Sequence, residues 1–309
     1  MLSRFLKNPL SEYASIMSDE FTGPRVGKVT DDRTAVIGRD AWLFIYEGGN
    51  QYKTAYMEPD QYGLGESWAS LIEMRQRKAD SLGIQILHLV IPNKLTLLPQ
   101  YFPEKLNSSI SYALSSLIFA NCDADLLIPI NELRNPDVSG SVFRRNDSHF
   151  TIAGNACVTD IVLSRLGMSN INIENSIVPT SVVKQVGDLG IKFPKKIGEH
   201  LHAPDFKNGF LDQSKIHKIK ELINPPRHLG SQVSFRNNNA PIDKKIVVYG
   251  NSFFSMCPSW GMSPFFAALF KEFHFIWSYE VDFDQCKDIG ADIVLFQTCE
   301  RFLSRVPAR

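Results

Sequence analysis

Runs of apolar residues alternate along the chain with segments in which apolar residues recur every three or four positions. Four of the runs are predicted strands, and the first is so nearly continuous in apolar residues that burial on both faces, as in a parallel sheet, is expected for it. These runs are 84–91, 245–249, 273–277 and 292–296. Shorter strand-like runs occur at 41–46 and 126–130.

Segments with helical spacing lie between these strands. Trp68, Leu71 and Leu82 fall on one face of a helix predicted over 66–82. Thr151 can cap a helix that runs to about Leu166. Further helices are predicted at 111–120, 212–222 and 264–272.

The alternation of strands and helices predicts an α/β fold with a mostly parallel, doubly wound sheet and helices on both faces. We expect residues 1–34 to form an irregular N-terminal arm and residues 35–309 to form one domain. Within that domain, the polar stretch 168–243 is rich in Asn, Lys and Pro. It is therefore predicted to be an irregular insertion, made of loops and one helix, that faces the substrate.

The charge balance and the cysteines exclude several classes of protein. Lys plus Arg and Asp plus Glu both number 33, so nothing in the charge favours a nucleic acid or an anionic membrane as partner. No apolar run approaches the roughly 20 residues of a membrane span. The five cysteines are scattered along the chain, which argues against both a disulfide framework and a zinc site, and no metal is expected at the site.

The N-terminus bears on where the chain works. Lys7 and Pro9 interrupt it before a signal-peptide core could form. The sequence as it stands therefore predicts a cytoplasmic protein, whereas removal of a leader would predict a periplasmic one.

Three residues supply the parts of an acyl-transfer site. Asp147 and His149 lie two positions apart on the loop before a predicted helix, and Ser252 follows an apolar strand on a turn that Gly250 permits. A serine hydroxyl needs a base within hydrogen-bond reach, and that base needs a third group to orient it. His149 can accept the Ser252 proton, Asp147 can hold the other imidazole N–H, and the backbone N–H of Ser252 or Phe253 can face an oxyanion.

Each of these pieces is common when it stands alone. An Asp-x-His pair usually caps a loop, and a Gly-x-Ser after a strand usually forms a turn. Ligands of parallel sheets bind beyond the carboxyl ends of the strands, and Ser252 lies just past one such end. The prediction of a site therefore depends on the three side chains meeting at one edge of the sheet.

The sequence resembles the SGNH-hydrolase-like O-acetyltransferases of bacterial exopolysaccharide assembly, a group that includes the alginate acetyltransferases. The blocks that carry the resemblance are Gly38-Arg39-Asp40-Ala41-Trp42-Leu43-Phe44 (family Gly-x-Asp-Gly-Trp-Leu-Phe), Val90-Ile91-Pro92-Asn93-Lys94, Asn146-Asp147-Ser148-His149-Phe150-Thr151 (family Thr-Asp-x-His-Trp-Thr), Gly187-Asp188-Leu189, Tyr249-Gly250-Asn251-Ser252-Phe253 (family Gly-Asp-Ser-Phe), Ala291-Asp292-Ile293-Val294-Leu295 and Glu300-Arg301-Phe302-Leu303. They occur in family order, with Asp-x-His before Ser, which is a permutation of the usual SGNH order.

The resemblance implies the SGNH-like, flavodoxin-like fold and assigns roles to these residues. It implies Ser252 as nucleophile, His149 as base and Asp147 as the residue that orients the base. It also implies that acetyl is carried on Ser252 and passed to a hydroxyl of a surface polysaccharide, such as an exopolysaccharide or capsule, or its precursor. Association with other polysaccharide-assembly proteins is a further implication.

Two departures from the family matter near the site. Asn251 stands where the family has Asp, and Phe150 replaces Trp while keeping an aromatic ring. No Asn follows the strand at 292–296, where ordinary SGNH enzymes have an oxyanion-binding Asn. Arg301 could supply positive charge there instead, but a buried structural pair of Glu300 with Arg301 is the favoured interpretation.

Four more residues are candidates for binding donor or acceptor. Asn93 and Lys94 end a buried strand, where Lys94 could meet an acceptor carboxylate or the acyl donor, or simply cap a helix or loop. Asn50 follows two glycines that either line the cleft or turn the chain. Trp260 lies in a loop soon after Ser252 and could stack on a sugar.

Three functions fit these observations. The first is an O-acetyltransferase with a carbohydrate acceptor, for which a cytoplasmic location favours acetyl-CoA as donor. The second is a carbohydrate esterase that uses the same three residues with water as acceptor. The third is a non-catalytic polysaccharide-binding homologue, which Asn251 and the missing oxyanion Asn motivate.

Overall fold

The structure is a computed structural model. It describes residues 16–17, 25–48, 52–59, 63–134, 142–171, 173, 180–204, 215–224, 228–255 and 261–307. Two binding candidates, Asn50 and Trp260, lie outside these residues. Their predicted roles therefore stay predictions.

A mostly parallel sheet forms the centre of the molecule. Its strands are β4 (Gln85–Ile91), β5 (Leu126–Leu127), β8 (Ile216–Leu222), β9 (Gln232–Asn237), β10 (Ile242–Gly250), β11 (Phe270–Trp277) and β12 (Ile293–Cys299). Within the described chain their order is β5-β4-β12-β10-β11-β9-β8. The first five strands in this order run parallel, while β9 and β8 join antiparallel at one edge. The four predicted strand runs correspond to β4, β12, β10 and β11, which are neighbours in this sheet.

Helices cover both faces of this sheet. They are α1 (Leu64–Ser81), α2 (Lys94–Leu97), α3 (Tyr112–Phe119), α4 (Ile130–Arg134), α5 (Ile152–Arg165), α6 (Ser263–Leu269) and α7 (Phe283–Ile289). Phe273 on β11 packs against Phe266 of α6. Tyr249 on β10 points to the opposite face, because its hydroxyl bonds to Asp282 and Gln285 at the start of α7.

Two smaller sheets lie outside the central one. β2 (Ala35–Ile37) and β3 (Leu43–Ile45) form a hairpin. β1 (Ile16–Met17), β7 (Gly198–Pro204) and β6 (Thr180–Val186) form an antiparallel three-stranded sheet in that spatial order. We call this the support sheet, because the loop after β6 and a side chain of β7 hold the candidate site.

The predicted helix at 212–222 is wrong, and the stretch 168–243 is more regular than expected. It contains β6, β7, β8 and β9. In β8 only Ile216 is buried and the other residues are exposed. Burial therefore imposes no alternating pattern on its sequence, and the backbone hydrogen bonds to β9 determine the conformation instead. The helix predicted at 264–272 ends earlier than expected, at Leu269. The strand predicted at 273–277 therefore begins three residues earlier, at Phe270.

One connected core fills the space between the central sheet and its helices, with residues such as Leu87, Val248 and Leu295 fully buried. A second, smaller cluster lies between the hairpin and the loop after β6, where Leu43 meets Leu189 and Phe193. Of the helices described, none combines the length and apolar character needed to cross a bilayer.

Candidate active site

The candidate nucleophile lies on a turn at the carboxyl end of β10. Ser252 begins a single 3₁₀ turn, Ser252–Phe254, and the Asn251 side chain caps it by accepting from the Phe253 N–H at 3.3 Å. Gly250 lies so close to Gln297 that a Cβ there would come within 2.8 Å of its Oε1. A larger residue at position 250 would displace the Gln297 amide, whose Oε1 accepts from the Asn251 N–H at 3.1 Å.

The other two residues lie on the loop between Arg144 and the start of α5. A bridge between Phe143 and Phe150 closes this loop, and the Arg144 N–H donates to the His149 carbonyl at 3.1 Å. Thr151 then caps α5 by accepting from the Gly154 N–H at 3.0 Å. The predicted N-cap is therefore confirmed, and it places the Asp-x-His pair just outside a helix.

The structure brings Ser252, His149 and Asp147 together in one row. His149 Nε2 lies 2.8 Å from Ser252 Oγ, and His149 Nδ1 lies 2.7 Å from Asp147 Oδ1. The His149 backbone N–H also donates to Asp147 Oδ1 at 2.9 Å, which fixes the carboxylate beside the ring. In this geometry His149 can accept the proton of the Ser252 hydroxyl while the Asp147 carboxylate orients the imidazole ring.

Asp147 is nearly fully buried, yet its surroundings favour the charged form. Burial opposes ionisation, but the hydrogen bond from His149 and the charge of Arg144 outweigh it and hold the pKa of Asp147 well below its usual range. Arg144 Nη1 lies 3.0 Å from Asp147 Oδ2, and the Asp188 N–H donates to the same oxygen at 3.0 Å. Asp147 is thus a carboxylate with defined partners on both oxygens.

Lys94, for which the sequence leaves ligand binding and capping open, contacts backbone carbonyls around the site. It is buried, and its Nζ donates to the carbonyls of Leu43 at 2.9 Å, Arg144 at 2.7 Å and Asp147 at 2.5 Å. Burial lowers the pKa of Lys94 to about 8. Its ammonium joins the hairpin to the Asp-x-His loop, which is closer to the loop-capping alternative than to a role in ligand binding.

Asn93 is also a structural residue. Its side-chain amide donates to the Tyr56 hydroxyl at 2.9 Å, and its backbone N–H donates to the Glu300 carboxylate at 2.8 Å. Glu300 is buried and accepts two further hydrogen bonds, from Thr96 Oγ1 at 2.6 Å and the Ser111 N–H at 2.7 Å. The expected Glu300–Arg301 pair is therefore wrong, because these three donors, rather than a guanidinium, satisfy the carboxylate.

Arg301 lies beside the site, where its guanidinium contacts two aromatic rings. Its guanidinium stacks 5.6 Å from the centroid of the Phe253 ring and 4.9 Å from that of Phe302. Among the described residues, no carboxylate or carbonyl bonds to it. It lines a narrow crevice that has room for about one water molecule and that is bounded by Ile45, Tyr52, Lys94, Ser148 and Leu189.

Two aromatic rings support the row from behind. Phe253 packs on the His149 ring with centroids 5.2 Å apart and on Phe150 with centroids 4.7 Å apart. Both phenylalanines are fully buried, so Phe150 is part of the core. The Phe253 N–H is used by Asn251, whereas the Ser252 N–H has no acceptor within the described part of the chain. Ser252 is therefore the better oxyanion donor of the two expected.

Three charged residues of the site were not among the sequence candidates. Arg144 contacts Asp147, and Glu199 of β7 accepts from the backbone N–H groups of Arg145 and Asn146 at 3.1 Å each. Asp188 contacts both Asp147 and Ser148. The only signal for any of them was the Gly187-Asp188-Leu189 block, because a buried ion network joins distant segments and leaves no spacing pattern.

Asp147, His149 and Asp188 present one ligand-type atom each within 4.8 Å of the others, the one such group of three found among the residues described. The hydrogen bonds that join Asp147 to the other two account for this closeness. The expectation of a site without metal stays a prediction.

No model of a known family matches the sequence. The chain is 31% identical over 138 residues to a probable alginate O-acetylase AlgJ of Pseudomonas aeruginosa, which is 43% of this chain and 32% of that protein. It is 30% identical over 123 residues to the Pseudomonas fluorescens protein of the same name, covering 38% of this chain and 30% of that protein. The matched segment thus spans about a third of either relative.

Solved structures share the fold over most of the chain. Bacillus cereus PatB1 matches 85% of this chain and 95% of its own, with a TM-score of 0.62 at 15% identity. A DHHW family protein of Eubacterium siraeum matches 95% of this chain and 96% of its own, with a TM-score of 0.60 at 15% identity. The O-acetyltransferase domain of Pseudomonas putida AlgJ matches 87% of this chain and 91% of its own, with a TM-score of 0.53 at 16% identity. The predicted SGNH-like α/β fold and the resemblance to alginate O-acetyltransferases are confirmed.

Proposed function

We propose that this protein is an O-acetyltransferase that carries acetyl on Ser252 and passes it to a hydroxyl of a bacterial exopolysaccharide or its precursor. The observation that supports this most directly is the row of Ser252, His149 and Asp147, with hydrogen-bond distances of 2.8 and 2.7 Å. The sequence similarity to proteins named probable alginate O-acetylases supports the choice of acceptor.

In the first half of the reaction, Ser252 Oγ attacks the carbonyl carbon of the acetyl donor while His149 Nε2 accepts its proton. The C–O bond to the donor's leaving group then breaks, or the C–S bond if the donor is a thioester such as acetyl-CoA. His149 returns the proton to the leaving group, and the product is acetyl-Ser252. Asp147, held ionised by Arg144 and the Asp188 N–H, stabilises the imidazolium throughout.

In the second half, a sugar hydroxyl attacks the acetyl carbon of acetyl-Ser252. His149 Nε2 takes the hydroxyl proton, the bond to Ser252 Oγ breaks, and His149 returns the proton to that oxygen. Water in place of the sugar would give hydrolysis with the same residues, so acceptor binding and water exclusion decide the outcome.

Negative charge develops on the carbonyl oxygen in both halves. The Ser252 N–H has no acceptor among the described residues, so it can donate to that oxygen. The Arg301 guanidinium lies against the ring of the following residue, Phe253. A preorganised donor of this kind typically contributes on the order of 10²-fold or more to the rate. Arg301 would thus take the place of the Asn that ordinary SGNH enzymes use.

The proposal can be tested by mass spectrometry of the protein and of an oligosaccharide acceptor after incubation with 4-nitrophenyl acetate or acetyl-CoA. We expect acetyl on Ser252 and, with increasing acceptor, acetylated sugar at the expense of free acetate. Ser255→Ala, three residues along the same turn, is the matched control and should behave as wild type. Acetate release that no sugar alters would show an esterase, and no acetylation of Ser252 would support the non-catalytic alternative.

A further inference from the structure

The block Gly187-Asp188-Leu189 follows β6 of the support sheet and packs against the loop that carries Asp147 and His149. A Cβ at position 187 would lie 2.5 Å from the Asn146 carbonyl oxygen and 2.6 Å from Cβ of Asp147. Real Cβ atoms do not come this close to backbone atoms, so the approach requires glycine. It places the next residue, Asp188, at the edge of the candidate triad.

Asp188 contacts the residues on both sides of the histidine. Its N–H donates to Asp147 Oδ2 at 3.0 Å, and its Oδ1 accepts from the Ser148 N–H at 2.7 Å. Its Oδ2 accepts from the Ser148 hydroxyl at 2.5 Å and lies 3.6 Å from His149 Nδ1. One side chain therefore fixes Ser148 and brings a second negative charge close to the imidazole ring.

We propose that Asp188 is a positioning residue for the transfer reaction: it holds the loop so that His149 faces Ser252, and its charge favours the imidazolium that forms when Ser252 is deprotonated. This inference rests on the proposed function. Asp188 does not contact the reacting atoms and is separate from the three residues of the row. Because its side chain is 42% exposed, solvent screens its charge, and we expect a modest effect rather than a decisive one.

Several other charges face His149, and Asp188 acts in addition to them. Asp147 is the nearest, and the Glu199 carboxylate lies behind it on β7. Arg144, Lys94 and Arg301 place positive charge around the same loop from three other segments. Ser252 is the neutral partner on the other side of the ring. Of the two carboxylates nearest the ring, Asp188 is the one that solvent reaches readily.

Two substitutions separate the charge of Asp188 from its hydrogen bonds. Asp188→Asn removes the charge beside His149 but keeps the shape, whereas Ser148→Ala breaks the 2.5 Å hydrogen bond and leaves the charge in place. Long-range ¹H–¹⁵N NMR of ¹⁵N-labelled protein at one fixed pH reports the surroundings of the two His149 ring nitrogens. We expect the Nδ1 resonance to move in Asp188→Asn, which loses the charge 3.6 Å away, and to stay near the wild-type position in Ser148→Ala.

Activity should follow the same order. We expect kcat for acetyl transfer to fall about tenfold in Asp188→Asn with little change in KM, and about threefold in Ser148→Ala. Thermal unfolding shows whether each variant is folded, and Asp188→Ser replaces Asp188→Asn if the latter is not. An Asp188→Asn spectrum whose His149 ring resonances overlay those of wild type overturns the inference. A wild-type protein that transfers no acetyl, while these resonances still move in Asp188→Asn, would end the proposed function and leave the electrostatic role of Asp188 standing.

Discussion

At the scale of single residues, the candidate triad predicts how substitutions at Ser252, His149 and Asp147 change turnover. Ser252→Ala and His149→Ala should each lower turnover by several orders of magnitude, because one removes the nucleophile and the other removes its base. Asp147→Ala should be less severe, since the imidazole is still within hydrogen-bond reach of the hydroxyl, at 2.8 Å in the wild-type structure. Steady-state rates with a chromogenic acetyl ester measure all three. Near-wild-type rates in Ser252→Ala would remove the serine mechanism.

A second residue-scale feature is a strained turn before β3. Asp40 and Ala41 have φ values of 49° and 58°, in the left-handed region that favours glycine. Ala41 stands where the family block has Gly, so the chain accepts a strain of about 1–2 kcal/mol there. The Gly38 beside it cannot change, because a Cβ would lie 2.3 Å from the Tyr101 carbonyl.

Ala41→Gly should therefore raise the free energy of unfolding by about 1 kcal/mol, because glycine adopts a positive φ without steric cost. Denaturant unfolding measures the change. Ala113→Gly in α3 is the matched control and should lower stability by a similar amount, since glycine weakens a helix interior. A loss of stability in both variants would show that the turn is not strained.

At the scale of elements, the end of β12 is tied to two helices by one buried carboxylate. Glu300 accepts from the N–H of Asn93, which precedes α2, from Thr96 within α2, and from the N–H of Ser111, which caps α3. Glu300→Gln turns an amide N–H₂ toward these donors and leaves buried N–H groups unpaired. We expect a loss of about 2–3 kcal/mol in the free energy of unfolding.

Glu58→Gln, at an exposed position, is the control for Glu300→Gln and should change stability by less than about 0.5 kcal/mol. Urea denaturation compares the two variants. An equally small effect at position 300 would mean that the three donors find other acceptors.

The elements that could be predicted from the sequence are those whose burial is complete. β4 and β12 are apolar along nearly their whole length, and β10 from Ile246 onward, because both faces are covered there. Thr151 marks the start of α5 because its side chain accepts from the Gly154 N–H. β8 could not be predicted, because its side chains are exposed and Ile216, Ile219 and Leu222 recur at a helical spacing. Burial on both sides leaves a pattern in sequence, whereas an edge strand depends on its neighbour's backbone.

The site divides in the same way. Asp147, His149 and Ser252 could be found because a reactive group must occupy a turn or loop at the sheet edge, and such turns have recognisable residues. For Lys94 and Asn93 the sequence leaves ligand binding and capping open, because it does not show which carbonyls or hydroxyls a strand end will meet in space. The partners of Asp147 come from three segments, and only folding joins them.

At the scale of the whole molecule, a buried histidine couples folding to acidity. His88 lies in β4, fully buried, and neither of its ring nitrogens bonds to the described residues. Burial, together with the nearby charge of Arg75, lowers the pKa of His88 to about 3. Below its ordinary value of 6.5, the unfolded chain takes up a proton that the folded chain refuses. Stability that is present above pH 6.5 is therefore lost as the pH falls towards 3.

His88→Leu should flatten this loss between pH 6.5 and 3, which amounts to on the order of 3–5 kcal/mol in wild type. Urea unfolding at a series of pH values measures the slope. His217→Leu at an exposed position of β8 is the control and should leave the slope unchanged. Parallel slopes in wild type and His88→Leu would show that other groups dominate acid unfolding.

The three residues of the row are held by two different sheets. Ser252 follows β10 of the central sheet, whereas Asp188 and Glu199 bind the loop with His149 to the support sheet. A small movement of one sheet relative to the other would separate the Ser252 hydroxyl from the His149 imidazole before either sheet unfolds. Reactivity of Ser252 towards a sulfonyl fluoride should thus fade at lower urea concentrations than the circular dichroism signal. The reactivity of Ser252 would then report the stability of the contact between the two sheets.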